Sequence, residues 1–122
     1  ILAAYNNNGK TYAKTCDLTT NVCTSATELA TQDREVQSLA KDKKNNVMAA
    51  WLERDAADKP KDLYINTYNT SNDSWSVMGK INDGTVDTSN NVAALDDDFV
   101  VTWAERVFPN RWAVFAKEFK IQ

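Results

Sequence analysis

The sequence of 122 residues contains no histidine. Without histidine, this chain cannot form a Ser-His-Asp triad or a Cys-His pair, and it lacks the commonest zinc ligand. No run approaches the ~18 consecutive apolar residues that a membrane-spanning helix needs. The net charge is −3 with mixed signs, so no basic patch indicates nucleic acid or an anionic membrane as a partner. A signal peptide is also absent, and since the chain begins at Ile1 we expect a mature form, a fragment or an excerpt.

Three segments that end in an aromatic residue recur along the chain: ILAAY, VMAAW and FVVTW. Each is followed by a second recurring segment, TYAKTCD, LYINTYN or VFAKEFK. These second segments begin at Thr11, Leu63 and Val114, at offsets of 52 and 51 residues. A period near this length indicates a repeat architecture, and propeller blades have periods of about 40–50 residues.

The segment Val47–Leu52 predicts a strand that is apolar on both faces, because every residue in it is apolar. Such a strand needs cover on both sides, whereas an ordinary two-layer sandwich leaves one face of each sheet polar. Radially stacked antiparallel blades cover both faces of their sheets. We therefore predict an all-β fold of antiparallel four-stranded β-propeller blades, about two and a half in this chain, with a β-sandwich as the alternative.

The runs VQSLAKDKKNNVMAAWLE, DLYINTYN and DSWS resemble the repeats of bacterial secreted β-propeller proteins. The run VAALDDDFVVTWAE resembles the same element with a shorter turn. The Asp box of sialidases also lies in such a turn, but Ser71–Trp75 lacks its glycine and its threonine. The resemblance therefore covers nearly the whole chain and implies propeller blades, but it implies no sialidase chemistry.

The repeat predicts a single all-β region over residues 1–122, with part of a blade at 1–29, a blade at 36–81 and part of a blade at 92–122. One segment conflicts with this prediction, since Ala26–Lys44 is rich in strong helix formers. The corresponding segment of the next unit is rich in Asp, Asn and Gly, which disfavour a helix. We predict a loop followed by a strand at Val36–Lys41, and a connection between blades at Asn82–Asn91.

Cys16 and Cys23 occupy the positions at which the second unit has Tyr68 and Trp75. Those two aromatic residues should face each other across neighbouring strands. Two cysteines in place of a packed pair predict a disulfide, and two reduced core cysteines are the rival interpretation. A bridge across this short loop would contribute roughly 2–3 kcal/mol in the chain-entropy model. It would also favour an oxidising, extracytoplasmic location.

Trp75 and Trp112 lie near strand ends and loops, so they are the candidates for stacking on a sugar ligand. Arg54, Arg106 and Asp73 are the candidate polar partners, and packing is the competing interpretation for both tryptophans. The aromatic residues at repeat-equivalent positions are interpreted instead as packing between blades; they are Tyr5, Trp51 and Trp103.

Two groups of carboxylates are weaker candidates. Glu53 and Glu105 recur where the hairpin loops begin, and a carboxylate pair can serve as the acid and base of a glycosidase. Repeat-equivalent residues point out of different blades, so we interpret them as part of a solvated rim of glutamates and arginines. A turn offers the oxygen ligands that calcium accepts, through Asp96, Asp97 and Asp98. Neighbouring side chains of a short turn diverge, so we predict a solvated turn and no cofactor.

These observations favour a non-enzymatic, extracytoplasmic module for binding or scaffolding, with a glycan or a surface protein as its ligand. We expect it outside the cell or in the cell envelope. One alternative is a structural subunit whose open blade edges join other copies into a ring or filament. The other alternative is a fragment of a propeller glycoside hydrolase, completed by the remainder of a longer propeller chain.

Overall fold

A computed structural model of the chain describes residues 2–8, 10–30, 35–76 and 79–121. These residues contain no helix; their strands pair antiparallel in three sheets, none of which closes into a barrel. The all-β antiparallel prediction is confirmed. The alternative helix at Ala26–Lys44 is wrong in the described part of that segment, which contains strands, while residues 31–34 lie outside the described residues.

The first sheet is a hairpin with a divided edge. Its hairpin pairs β1 with β2, and two short strands, β3 and β4, share the free side of β2. The strands are β1 (Leu2–Asn7), β2 (Lys10–Asp17), β3 (Val22–Cys23) and β4 (Thr27–Ala30).

The middle sheet repeats this plan and adds one strand, β5, at its other edge. Its order is β5, β6, β7, with β8 and β9 both paired to the free side of β7. The strands are β5 (Glu35–Lys41), β6 (Val47–Arg54), β7 (Pro60–Asn69), β8 (Ser74–Trp75) and β9 (Gly79–Lys80).

The third sheet consists of β10 (Thr85–Leu95), β11 (Asp98–Val107) and β12 (Arg111–Lys120), in that order. The predicted connection at Asn82–Asn91 is therefore wrong from Thr85 onward. Strand β10 starts early because Val86 is buried in the core and pairs with Glu105. A register shift between Val86 and Asn90 absorbs the extra residues of β10.

The main core lies between the middle and third sheets. Side chains of β6 and β7 pack there against side chains of β10 and β11, and the largest are Met48, Leu52, Leu63, Phe99 and Trp103. Every residue of β6 from Val47 to Leu52 is buried, which confirms that this strand is apolar and covered on both faces. The first sheet lies beside the middle sheet, where β1 contacts β5.

Turn chemistry aligns one end of the middle and third sheets. The buried Asp42 carboxylate accepts hydrogen bonds from the backbone N–H groups of Lys44 and Asn46, both at 2.8 Å. The Asn46 Oδ1 atom accepts a hydrogen bond from the Thr70 backbone, and the Lys43 N–H donates to the Asp96 carbonyl. The turns at residues 42–46, 70–73 and 96–97 therefore share one end, which we call the turn end. The loops at residues 55–59 and 108–110 lie at the opposite end, which we call the hairpin end.

The middle sheet has the four successive antiparallel strand positions of a propeller blade, and the described residues of the first and third sheets form part of this order. The three sheets are equally compatible with sheets stacked as a β-sandwich, so the propeller arrangement stays a prediction.

Candidate binding site

A groove of about 190 Å³ lies between the first and middle sheets. The middle sheet contributes Tyr68, Asp73 and Trp75 at the turn end. The first sheet contributes Ala13, Lys14, Thr15, Thr24, Ser25 and Thr27. The Lys14 ammonium lies over the Tyr5 ring, so the polar side chains on this side of the groove are mainly hydroxyls.

The aromatic wall of the groove is the pair Tyr68 and Trp75. These residues lie opposite each other on β7 and β8, with ring centroids 5.4 Å apart and ring planes at 49°. The turn between them ends at Asp73, whose φ of 50° is left-handed, a conformation that aspartate tolerates better than most residues. The pair confirms the cross-strand arrangement that the repeat predicted.

The Tyr68 hydroxyl donates a hydrogen bond to Asp73 Oδ1. This bond to the carboxylate raises the pKa of Tyr68 above its ordinary value of 10.0, and burial and the negative charge of Asp73 add to the effect. Removing the proton from Tyr68 would place two negative charges side by side. The tyrosine therefore stays neutral and holds the carboxylate in place beside Trp75.

The opposite wall carries hydroxyl groups held by backbone pairing. The Thr24 N–H donates to the Thr15 carbonyl at 2.8 Å, and the Thr15 N–H donates to Thr24 Oγ1 at 3.0 Å. The two threonine hydroxyls lie 3.2 Å apart, within hydrogen-bond distance of each other. These hydroxyls present both donors and acceptors to the groove.

The disulfide predicted between Cys16 and Cys23 is confirmed. The two residues lie opposite each other on β2 and β3, with Cα atoms 4.0 Å apart and sulfur atoms at bonding distance. The bridge joins the residues next to Thr15 and Thr24, so it holds the hydroxyl wall of the groove together.

The five residues predicted as ligand contacts fall into two groups. Trp75 and Asp73 line the groove at the turn end, whereas Arg54, Arg106 and Trp112 lie at the hairpin end. Strand β6 has eight residues, so the two ends are roughly 23 Å apart at about 3.3 Å per residue. One small ligand cannot contact both groups.

The two arginines contact their own hairpin loops. Arg54 Nη1 donates to the Asp58 carbonyl at 3.0 Å, and Arg106 donates to Asn110 Oδ1 four residues further on. Trp112 lies opposite Arg106 across β11 and β12 and is more than half exposed. Nothing in this group encloses a ligand as the groove does.

The interpretation of a solvated carboxylate rim is wrong for Glu105, which is buried. Its carboxylate accepts hydrogen bonds from Trp103 Nε1 at 3.0 Å and from the Gly84 backbone. A side chain at Gly84 would collide with this carboxylate and with the Arg106 carbonyl. Glu105 therefore closes the core under the connection to β10.

The three aspartates of the β10–β11 turn are paired with lysines. The ion pairs are Asp96 with Lys43, Asp97 with Lys44 at 2.9 Å and Asp98 with Lys120 at 3.4 Å. Among the described residues, no group of three histidine, cysteine or acidic residues is arranged to hold a metal ion. Each carboxylate that the calcium hypothesis requires therefore lies beside a lysine ammonium.

No protein-family model, curated protein or solved structure matches this chain. The resemblance to secreted propeller repeats therefore stays a prediction. In the described part of the chain, no helix has the length and apolar character needed to cross a membrane.

The sequence predicted only the middle-sheet half of the groove. The first-sheet half was missed, although the alignment of Cys16 with Tyr68 and of Cys23 with Trp75 contained a usable signal. Residues next to those cysteines must lie at the turn end as well, and Thr15 and Thr24 are two of them.

Proposed function

We propose that this chain is a non-enzymatic binding module of propeller-type sheets and that the groove between its first two sheets binds a carbohydrate. One observation carries the proposal: Trp75 and Asp73 line a single groove together with residues of the first sheet that bear hydroxyl groups. A sugar ring has apolar C–H faces and a rim of hydroxyls. An aromatic ring suits the former, and carboxylate and hydroxyl oxygens suit the latter.

The dimensions and charge of the groove restrict the kinds of sugar that it can bind. At about 190 Å³ it is smaller than the ~300–1,000 Å³ typical of pockets for drug-sized molecules. It therefore suits one terminal sugar ring rather than the interior of a long oligosaccharide. The negative charge of Asp73 repels acidic sugars, so a neutral or amino sugar is the expected terminal residue.

The disulfide supports a location outside the cytoplasm. Disulfides persist in oxidising compartments and are rare in the reducing cytosol. The bridge between Cys16 and Cys23 is thus compatible with an extracellular or cell-envelope protein.

The proposal is tested by isothermal titration calorimetry with oligosaccharides that end in neutral or amino sugars. We expect Trp75→Ala and Asp73→Asn each to weaken binding by about tenfold or more, the loss of a stacked ring or of a charged hydrogen bond. Trp112→Ala is the matched control, because it removes a tryptophan at the hairpin end and should leave the affinity unchanged.

Binding that survives Trp75→Ala and is lost in Trp112→Ala would place the ligand at the hairpin end and overturn the proposal. Circular dichroism of each variant separates loss of binding from loss of folding.

A scaffolding role through contact between copies is a second candidate. The observation that favours it is an exposed sheet face on β11 and β12, where Val114 is 81% exposed.

A further inference from the structure

The third sheet has one face against the core and one face open to solvent. The open face, which we call the outer face, contains small and apolar side chains of two strands: Val100, Thr102, Ala104, Val114 and Ala116. A shallow groove of about 330 Å³ runs over it, lined in part by Thr102, Ala104 and Val114. Such a face is unusual on an isolated sheet, because exposed sheet faces are ordinarily polar.

The equivalent face of the middle sheet is covered by another sheet. Ala104 lies opposite Val114 as Leu52 lies opposite Leu63, and the repeat aligns the two pairs. In the middle sheet both residues of the pair are fully buried, because the third sheet covers them.

The face that covers the middle sheet belongs to the third sheet and is rich in aromatic residues. It contains Phe99, Val101 and Trp103 from β11, and the Trp103 ring stacks on Phe115 of the neighbouring strand. The two rings have centroids 5.7 Å apart and an interplanar angle of 19°. In the third sheet, a stacked aromatic pair across the central hairpin therefore lies on the face that covers the middle sheet.

The first sheet carries the equivalent face without a cover. Tyr5 and Tyr12 occupy the positions of Trp103 and Phe115, with centroids 5.8 Å apart and an interplanar angle of 24°. Tyr5 is 38% exposed, whereas Trp103 is buried. We call this the tyrosine face.

We propose that a second copy of this chain covers the outer face and that it does so with its tyrosine face. The contact repeats between chains the packing that joins the middle and third sheets within one chain. Each face offers a charge of opposite sign to the other, Glu118 on the outer face and Lys14 over the Tyr5 ring on the tyrosine face. Other charges are paired within their own face, Asp98 with Lys120 and Lys10 with Glu28. The inference rests on the part of the proposed function that describes propeller-type sheets packed face to face. It goes beyond glycan binding in the groove.

The two faces are different surfaces, so the contact is heterologous. Each copy offers one outer face and one tyrosine face, and copies joined in this way form a ring if the rotation closes or a filament if it does not.

Sedimentation or light scattering over a range of concentrations tests the contact. The unsubstituted chain should show a mass that rises above 13.7 kDa with concentration. Val114→Glu places a charge on the outer face, and Tyr5→Glu places one on the tyrosine face. Each variant alone should stop chain growth and remain at the monomer mass. Leu18→Glu is the matched control: Leu18 is 64% exposed in a turn away from both faces, and its variant should assemble normally.

Mixing the two variants distinguishes this contact from a symmetric one. An equimolar mixture of Val114→Glu and Tyr5→Glu retains one intact face of each kind, so it should form dimers that do not grow further. Normal assembly of either variant alone would overturn the proposal, and so would a monomeric unsubstituted chain at every concentration. A monomer would mean that the outer face has another cover, such as a further sheet of a longer chain.

Measuring sugar binding by the Val114→Glu variant tests the two proposals separately. The substitution lies on the third sheet, away from the groove between the first two sheets. A monomeric variant that still binds sugar would support both proposals. A variant that still assembles would overturn the contact between copies, and a chain that assembles but binds no sugar with or without the substitution would overturn the proposed function.

Discussion

Trp103 Nε1 donates a hydrogen bond to Glu105 Oε2 at 3.0 Å, from two residues earlier on the same strand. Residues two apart on a strand share a face, so both side chains turn towards the core. The carboxylate completes its bonding with the Gly84 N–H, at the start of the connection into β10. This buried carboxylate therefore ties the core of the third sheet to the segment that enters it.

Replacing Glu105 with alanine should destabilise the protein by about 2–3 kcal/mol, because the buried Trp103 Nε1–H and the half-buried Gly84 N–H would lose their acceptor. Urea denaturation followed by tryptophan fluorescence measures the change. Asp97→Asn, which breaks an exposed ion pair with Lys44, is the control and should shift the midpoint far less. Equal effects of the two substitutions would show that Glu105 is not part of the core.

The alignment of the disulfide with an aromatic pair makes a second prediction. Replacing both Cys16 and Cys23 with alanine should cost roughly 2–3 kcal/mol, the chain-entropy value for so short a loop. The double variant Cys16→Tyr, Cys23→Trp copies the pair of the middle sheet and should recover about 0.5–1.5 kcal/mol of that loss. Thermal unfolding of the three proteins checks the order. No gain over the alanine variant would show that the two sheets are not equivalent at this position.

The lowered pKa of Asp62 predicts that the folded protein loses stability in acid. Burial acts to raise the pKa of its carboxyl, but hydrogen bonds from Lys80 and Asn82 and the charges of Lys80 and Lys61 outweigh it and lower the pKa below 3.8. Because the folded pKa is the lower one, the stabilisation is present above the unfolded value and is lost as the pH falls through the folded value.

Asp62→Asn should therefore be less stable than the unsubstituted chain at neutral pH, and the difference should shrink below about pH 4. Urea denaturation at several pH values measures the difference. A difference that stays constant down to the lowest pH would contradict the lowered pKa of Asp62.

The bond between Tyr68 and Asp73 predicts a tyrosine that ionises late. Asp73→Asn removes the negative charge and should lower the pKa of Tyr68 towards 10.0. Ultraviolet titration of the tyrosines at alkaline pH measures the shift. Asp17→Asn is the control, since the Asp17 carboxylate accepts from the Thr19 backbone instead. A Tyr68 titration unchanged by Asp73→Asn would mean that this bond is absent in solution.

The repeat made much of the fold predictable, because apolar alternation and equivalence between units report directly on strands. The run Val47–Leu52 has no polar residue, and the sheets on either side bury it. The equivalence of Cys16 with Tyr68 and of Cys23 with Trp75 located the disulfide, because both pairs occupy the same register.

The start of β10 was not predictable in the same way. Asp, Asn and Gly around residue 84 are typical of a loop, and only the pairing of Val86 with Glu105 across a bulge makes a strand there. Glu105 was misjudged for a related reason. Its two hydrogen-bond donors, Trp103 and Gly84, come together only in the folded sheet, so a glutamate followed by an arginine resembled a solvated rim.

The groove was half predictable because a site between two sheets depends on how they pack. Trp75 and Asp73 could be found from their place near a turn. The hydroxyls of Thr15 and Thr24 look like ordinary strand residues until the first sheet is set beside the middle one. The sequence prediction also placed Arg54 and Arg106 in one site with Trp75 and Asp73, although the arginines lie at the far end of the strands.

Strand β6 is paired on both edges, with β5 and β7, and its side chains from Val47 to Leu52 are buried on both faces. Water can reach its amides only when the middle sheet separates from its neighbours. Amide hydrogens in β6 should therefore exchange only through global unfolding, while the short edge strands β3 and β8 exchange by local opening. The middle sheet thus makes the three sheets one cooperative unit, in which neither neighbour can be lost without exposing its apolar centre.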